Sequence, residues 1–495
     1  MSHEVRNYCA GAWMDSRSGR RFESTNPADI HETVASISLS GRDDVDLAVA
    51  AARDAFRTWR LTPAPKRGEI LFRAAGALME RKEELGRLVT LEMGKVLAEG
   101  LGDVQEAIDM AFFMAGEGRR LSGETVPSEL PDKDCKSVRE PHGVVALITP
   151  WNFPTAIPAW KLFPSLICGN TVVLKPSSTT PACAAAIVET LEEAGIPPGV
   201  VNLVHGPGQE VGEYLVTHPE VDAVSFTGSC AVGERLQSLL TGLHRPFAAE
   251  MGGKNAILVM DDADLDLALE GVLWGAFGTS GQRCTAASRV IVHERIHDHF
   301  LEMLVNGANR LRLGPGLNPE TDVGPVVNRQ QMNRILEYIR IGVGEGAALV
   351  AGGERCVQGP CADGYFIRPT VFAEVQAGMR IAREEIFGPV VSVFRCSGIE
   401  EGVALANSVQ YGLSSAIYSR DVNTTARAER DLKCGLVYIN ASTIGAEIQL
   451  PFGGWKHSGS GHPEAGGRGG ALEFYSRTKV VYRDFSGRLQ KAQID

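Results

Sequence analysis

The stretch "SGQRCTAASRV", residues 280–290, sets Cys284 between a Gly-Gln-Arg turn and a run of small residues. A thiolate is a strong nucleophile and a workable leaving group, so a cysteine here could hold a carbonyl carbon covalently and later release it. The plainer reading is a packed thiol, the commoner role of a cysteine in a reduced protein. Two further stretches, "HGPGQEVGEYL" and "FTGSCAVGERL", each read as a strand end, a glycine turn and the first turn of a helix. Free backbone N–H groups and the helix dipole favour a phosphate at such a place. The second, with Gly228, Ser229 and Gly233, suits a pyrophosphate, although the GxGxxG fingerprint is missing. In "VVLKPSSTTPA", Lys175 leaves a buried strand at its carboxyl end, where doubly wound sheets bind ligands. It can reach a ribose hydroxyl or a phosphate there, or stand solvated beside a turn. "HERIH", His293 to His297, satisfies the HExxH pattern of zinc hydrolases. His293 ends the strand-like "SRVIV" and a helix starts near Ile296, so the two rings would not face one metal, and none is expected.

Groups of this kind need rigid supports, and the rhythm of the chain provides them. From Ser40 to about Gly118, "DVDLAVAAARDAFRTW" and "KRGEILFRAAGALMERKEELGRLVTLEMG" carry apolar residues at three- and four-residue steps and predict helices, the first capped by Asp43 or Asp44. "GETVPSELPDKDCKSVREP" lacks that period, carries three prolines, and predicts an extended hairpin outside the main core. From Gly143, short runs such as "GVVALITP", "TVVLKPS" and "AVSFTGS" alternate with helical stretches. Strands apolar throughout imply a parallel sheet covered on both faces, hence a doubly wound nucleotide-binding domain. A second alternating set, through "SRVIVHERIHDHFLEM" to "LVYIN", suggests a second α/β domain. At 495 residues the chain has room for two or three domains. A net charge of −11 argues against nucleic acid and for small-molecule substrates. No apolar run approaches the ~20 residues of a membrane span, and the N-terminus lacks a signal-like stretch, so the expected setting is cytoplasmic, without a membrane partner. The ten cysteines are scattered without a CxxC pair, which predicts reduced thiols.

"PWNFP", "LKPS", "FTGS", "AEMGGKN", "GQRC", "EEIFGPV" and "PFGGWKHSG" follow one another from Pro150 to Gly459. Together, with the helical segment before them, they resemble the aldehyde dehydrogenase superfamily in that family's order. The resemblance implies an α/β fold with a doubly wound Rossmann-type cofactor domain over 1–122 and 142–252 and a catalytic α/β domain over 253–440. A small oligomerisation hairpin would take 123–141 and 476–495, and 441–475 would return to the cofactor domain with a substrate anchor loop. The implied reaction is NAD(P)-dependent oxidation of an aldehyde to a carboxylic acid, through a thiohemiacetal and then a thioester on Cys284. Asn152 matches the amide that, with the Cys284 N–H, holds the oxyanion. Glu250 matches the general base that activates water, a task suited to a carboxylate whose pKa is raised by burial. Lys161 matches a lysine of proton movement or cofactor placement.

For the cofactor, Glu385 and Phe387 match the residues gripping the nicotinamide ribose and ring side, and Lys175 and Ser178 match the adenosine-ribose positions. Ser229 matches the pyrophosphate contact, and Gln331 and Arg334 a distal ribose contact. Ile148, Trp151 and Phe226 complete the implied cleft with Val232, Gly208, Gly212 and Gly252. NAD-preferring relatives often carry glutamate where Ser178 stands, repelling a 2′-phosphate by like charge; serine predicts that NADP is accepted beside NAD.

The resemblance places Phe153, Trp160, Phe452, Met110 and Met114 along the substrate tunnel, with Ile444 in "TIGAEI" on the anchor loop. Gly278, six residues before Cys284, stands where many relatives have an aromatic and predicts a wider pocket. Trp160 replaces the arginine of succinic semialdehyde enzymes, while Arg283 can either contact a substrate carboxylate or point into protein. Two substrate readings follow: a broad enzyme for medium-chain or aromatic aldehydes, or a dedicated ketoglutaric or aminoadipic semialdehyde dehydrogenase. At "GHPEAGG" the sequence departs from the family, which bears on the contacts of Glu464. The hairpin and the tail resemble an intersubunit sheet, so a homodimer or homotetramer is expected.

Overall fold

A computed structural model describes residues 3–493; the last two positions at either end of the segments assigned above lie outside the described residues. Four helices follow the N-terminal strands: Arg42–Trp59, Ala64–Glu80, Lys82–Met93 and Leu97–Glu117. The first buries Val45, Ala48, Val49, Ala52 and Trp59, the three-and-four spacing of an amphipathic face. Its N-cap is Gly41, and Asp44 caps from inside the first turn, its carboxylate accepting the Gly41 N–H at 2.9 Å.

Five parallel strands form the sheet on which the site rests. In spatial order they are Phe247–Glu250, Ala223–Thr227, Val144–Ile148, Thr171–Lys175 and Val201–Leu203. Their residues are buried almost without exception, because helices cover both faces. The chain order reverses between Val144–Ile148 and Ala223–Thr227, which makes a switch point where a doubly wound sheet opens a crevice. In register, Ile148 lies beside both Lys175 and Phe226, and Thr227 beside Glu250, so the carboxyl ends form one row. Two antiparallel strands, Asn7–Cys9 and Ala12–Met14, extend the far edge.

A second seven-stranded sheet contains Asn255–Val259 and Ala287–His293 at its centre. All its pairs are parallel except that of Ala348–Ala351 with Thr370–Ala373. The prolines of the predicted hairpin flank or end its strands: Thr125–Pro127 and Lys133–Pro141 pair antiparallel, and Ser476–Asp484 adds to the latter over nine registered pairs. The N-terminal strands, including Arg20–Asn26 paired with Asp29–Leu39, were not foreseen. Their residues do not alternate cleanly, and their pairing is decided by the rest of the molecule.

The HExxH pattern straddles a strand end and a helix start. His293 closes the strand Ala287–His293 and accepts the Arg295 N–H on Nδ1 at 3.3 Å, whereas His297 opens the helix His297–Arg310 and meets Asp298 at 3.0 Å. Among the described residues no helix is long and apolar enough to cross a membrane.

Candidate active site

A cleft of about 510 Å³ opens over the row of strand ends. Lys175 and Ser178 stand at its walls with Ile148, Trp151, Phe226 and Ser229, and so do Val232, Gly208 and Gly252. The second sheet's loops add Gln331, Arg334, Glu385 and Phe387, and Asn152 and Cys284 lie in the same cleft. Of the residues expected at the cofactor, Gly212 is the exception. It packs behind the wall, where an added Cβ would touch the Lys175 chain at 3.5 Å, so its effect on the cleft passes through Lys175. Sequence reading missed Ser177, Gly206, Pro207 and Met251, which line the cleft on turns whose local pattern carries no chemistry.

The cleft fits a dinucleotide. Ser229 caps the helix Cys230–Leu240 and accepts the Val232 N–H at 3.4 Å, leaving a helix N-terminus at the wall as a phosphate cradle. Burial brings the Lys175 ammonium down to about 8, and it donates to the Pro176 carbonyl at 2.9 Å. Ser178 donates to the Gly206 carbonyl at 3.1 Å. At the other end, Glu385 accepts the Gly253 N–H at 2.9 Å, and a Cβ at Gly252 would sit 2.2 Å from that carboxylate, so only glycine leaves Glu385 its place. Phe387 has φ 59° and meets Trp151 edge-on with ring centroids 5.4 Å apart. Gln331 and Arg334 hold this loop by its backbone, donating to the Phe387 carbonyl at 2.7 Å and the Glu385 carbonyl at 3.0 Å.

Cys284 follows three residues in left-handed backbone, Thr279, Ser280 and Gly281. Thr279 and Ser280 are held there by bonds from the Thr279 N–H to Glu99 and from the Ser280 hydroxyl to the Gly324 carbonyl. Gly281 has a Gly388 carbonyl where its Cβ would be, at 2.2 Å. Asn255 donates to the Cys284 carbonyl at 2.7 Å and the Ala286 carbonyl at 2.9 Å, clamping the far side. This residue stood in a quoted motif, but only its position beneath Cys284 in space reveals its part. The Cys284 N–H donates to no group among the described residues. Asn152 donates to the neighbouring Gln282 carbonyl at 3.1 Å, which aims its amide at the same loop.

Burial, and then the carboxylates of Glu385, Glu250 and Glu464, push the Cys284 thiol up to about 12. Glu250, buried at the end of Phe247–Glu250, is driven well above the carboxylate range by burial and then by Glu464. One of its oxygens accepts the Gly454 N–H at 2.8 Å; the other has no partner among the described residues. Glycines at 453 and 459 make the room: a Cβ would come within 3.3 and 2.9 Å of that free oxygen. Lys161, fully buried, donates to Ser225 at 2.7 Å and to Glu464, which also accepts from Thr227. The departure at "GHPEAGG" therefore leaves Glu464 bound.

Met110, Met114, Trp160 and Phe452 join one apolar cluster, against which Cys284 packs. Trp160 and Phe452 meet edge-on at 5.3 Å. Ile444 is buried but outside that cluster. Phe153 lies between the Lys95 ammonium, 3.7 Å from its centroid, and the Arg283 guanidinium at 5.3 Å. Arg283 pairs with Glu99 at 3.0 Å. The space expected beside Gly278 is largely taken, since a Cβ there would meet Glu99 and Trp274 at 3.1 Å.

A doubly wound sheet whose switch point joins a dinucleotide-shaped cleft to a half-buried thiol fits an oxidoreductase. The chain belongs to the aldehyde dehydrogenase family, whose model matches residues 13–481. It is 44% identical over 485 residues to an alpha-ketoglutarate semialdehyde dehydrogenase of Haloferax volcanii, covering 98% of this chain and 100% of that one. It is 41% identical over 476 residues to an alpha-ketoglutaric semialdehyde dehydrogenase of Bacillus subtilis, covering 96% and 97%. Among solved structures, betaine aldehyde dehydrogenase of Staphylococcus aureus in complex with NAD+ superposes with a TM-score of 0.95 at 36% identity, covering 98% of this chain and 96% of that one.

Proposed function

We propose that this enzyme oxidises a short aldehyde carrying a distal carboxylate, of the ketoglutaric semialdehyde type, with Cys284 as nucleophile. The observation that carries the reading is the likeness, along nearly the whole chain, to two enzymes named for that substrate. Trp160 Nε1 and Thr443 Oγ1 add two buried donors without acceptors among the described residues, and such groups favour a ligand that brings one. The medium-chain or aromatic reading draws on the apolar cluster around Met110, Met114 and Phe452.

Cys284 rests protonated, so Glu250, whose raised pKa makes it a willing acceptor, takes the thiol proton. The sulfur adds to the aldehyde carbon. The alkoxide so formed meets two donors, the Asn152 amide and the Cys284 N–H. A nicotinamide held by Glu385, Phe387 and Trp151 would supply the acceptor for the hydrogen with its electron pair, which would leave a thioester on Cys284. Glu250 releases the thiol proton to solvent and is then free to deprotonate a water that attacks the thioester, and the thiolate leaves. Glu464 opposes the ionisation of Glu250 and Lys161, paired with Glu464, favours it.

The test is kcat/KM for ketoglutaric semialdehyde, octanal and benzaldehyde, followed at 340 nm with both cofactors and repeated with Cys284→Ala. The semialdehyde should be preferred and the variant inert; octanal or benzaldehyde in the lead would return the broad reading. NADP is accepted beside NAD because Ser178 places no charge against a 2′-phosphate. Ser178→Glu should lower kcat/KM for NADP by about tenfold or more while sparing NAD, as like charges repel; an unchanged ratio would count against this.

A further inference from the structure

We propose that the second sheet carries, where its strands begin beneath the nucleophile's loop, a buried site for one small anion of the size and charge of chloride. The site lies outside the dinucleotide cleft and does not depend on which aldehyde is oxidised.

A cavity of about 10 Å³ is walled there by Lys254, Asn255, Arg289, Tyr411, Ser415 and Lys433 with their neighbours. It sits at the amino ends of the parallel strands Asn255–Val259, Ser414–Tyr418 and Leu436–Ile439. Space of that size takes one particle on the scale of a water molecule. Lys254 is 1% exposed, and its ammonium has no partner among the described residues. Arg289, also buried, donates to the carbonyls of Lys254 at 2.9 Å, Leu405 at 2.9 Å and Ala406 at 2.8 Å, and no carboxylate acts on it. Lys433 stands at the same wall. Lys456 feels the charge of both Arg289 and Lys433, and donates to the Asn407 and Val409 carbonyls at 3.0 and 3.1 Å. Among the described residues no carboxylate lines the cavity. Glu385 and Glu384 act on Lys254 by charge but are engaged elsewhere, Glu385 with the Gly253 N–H at 2.9 Å and Glu384 with Tyr338 at 2.7 Å and Arg380 at 2.9 Å.

A buried ammonium without a partner is costly, so it either sheds its proton or takes up a counter-ion. Burial, and then Arg289, bring Lys254 down to about 7. An anion in the cavity holds that proton in place and answers Lys254, Arg289 and Lys433 together, whereas a water brings no charge. The same surroundings exclude a cation. Asn255, at the same wall, is the clamp on the Cys284 carbonyl, so what fills the cavity bears on the footing of the nucleophile's loop.

The experiment has two arms. Crystals of the enzyme grown in bromide, the heavier analogue of chloride, should show an anomalous peak beside Lys254 Nζ. In solution, thermal unfolding is followed in sodium chloride against sodium gluconate at equal ionic strength. Chloride should raise Tm by about 1–2 °C and then level off; sulfate, too large for the space, should not. Lys254→Met should abolish the chloride-specific rise. Lys433→Ala, at an exposed position, should weaken it, which keeps the solution arm decisive even where the Lys254 variant fails to fold. A cavity that holds water and no bromide would overturn the assignment, as would a rise that the variants keep in full.

Discussion

Cys284 and Glu250 share a difficulty, since burial and neighbouring carboxylates raise both pKa values and the reactive form of each is the deprotonated one. Rates should therefore climb as pH rises through neutrality towards 9 and fall in acid, read as kcat/KM on a neutral aldehyde. Glu250→Gln should slow both the first-turnover burst of reduced cofactor and the steady state, because the same carboxylate takes the thiol proton and later activates water. A steady state as fast as the parent's would remove Glu250 from the mechanism. Asn152→Ala should cost about 10²- to 10³-fold in kcat. Cys284, Asn152, Glu250 and Glu385 were legible because each sits inside a short motif whose neighbours are themselves constrained. Asn255 was not, because it acts through a carbonyl 29 residues away in sequence. Gly212 meets the cleft only through Lys175, whose chain a Cβ there would touch at 3.5 Å, a contact that no local sequence pattern announces.

The nucleophile's loop is the element most sensitive to small change. Gly281 combines φ 69° with a carbonyl oxygen in the place of its Cβ. Gly281→Ala must push the Gly388 loop, which carries Phe387 and Glu385, and should cost about 1–3 kcal/mol in stability as well as activity. Thermal unfolding and KM for NAD measured together test this, and an unchanged KM would separate the two loops. The helix Arg42–Trp59 was readable from its apolar period, and the strands Val144–Ile148 and Ala223–Thr227 from runs apolar enough to be covered twice. The strands before residue 40 were opaque, since polar stretches such as "RRFESTN" become strand only when a partner such as Asp29–Leu39 is beside them.

At the scale of the whole molecule, the strand Ser476–Asp484 pairs on one side only among the described residues. Val480 and Tyr482 are 55% and 67% exposed along it. An open edge with apolar side chains is a template for another copy, so a dimer or tetramer is the expected state. Light scattering should show it, and Val480→Lys with Tyr482→Glu should lower the mass; a monomeric parent would end the idea. The chain runs from Glu464, braced by Lys161 and Thr227, through the short helix Ala471–Tyr475 directly into that edge. Whatever grips the edge also steadies Glu464, the neighbour of Glu250. Stock solutions diluted below the association threshold should accordingly begin turnover with a lag, shortening as protein concentration rises.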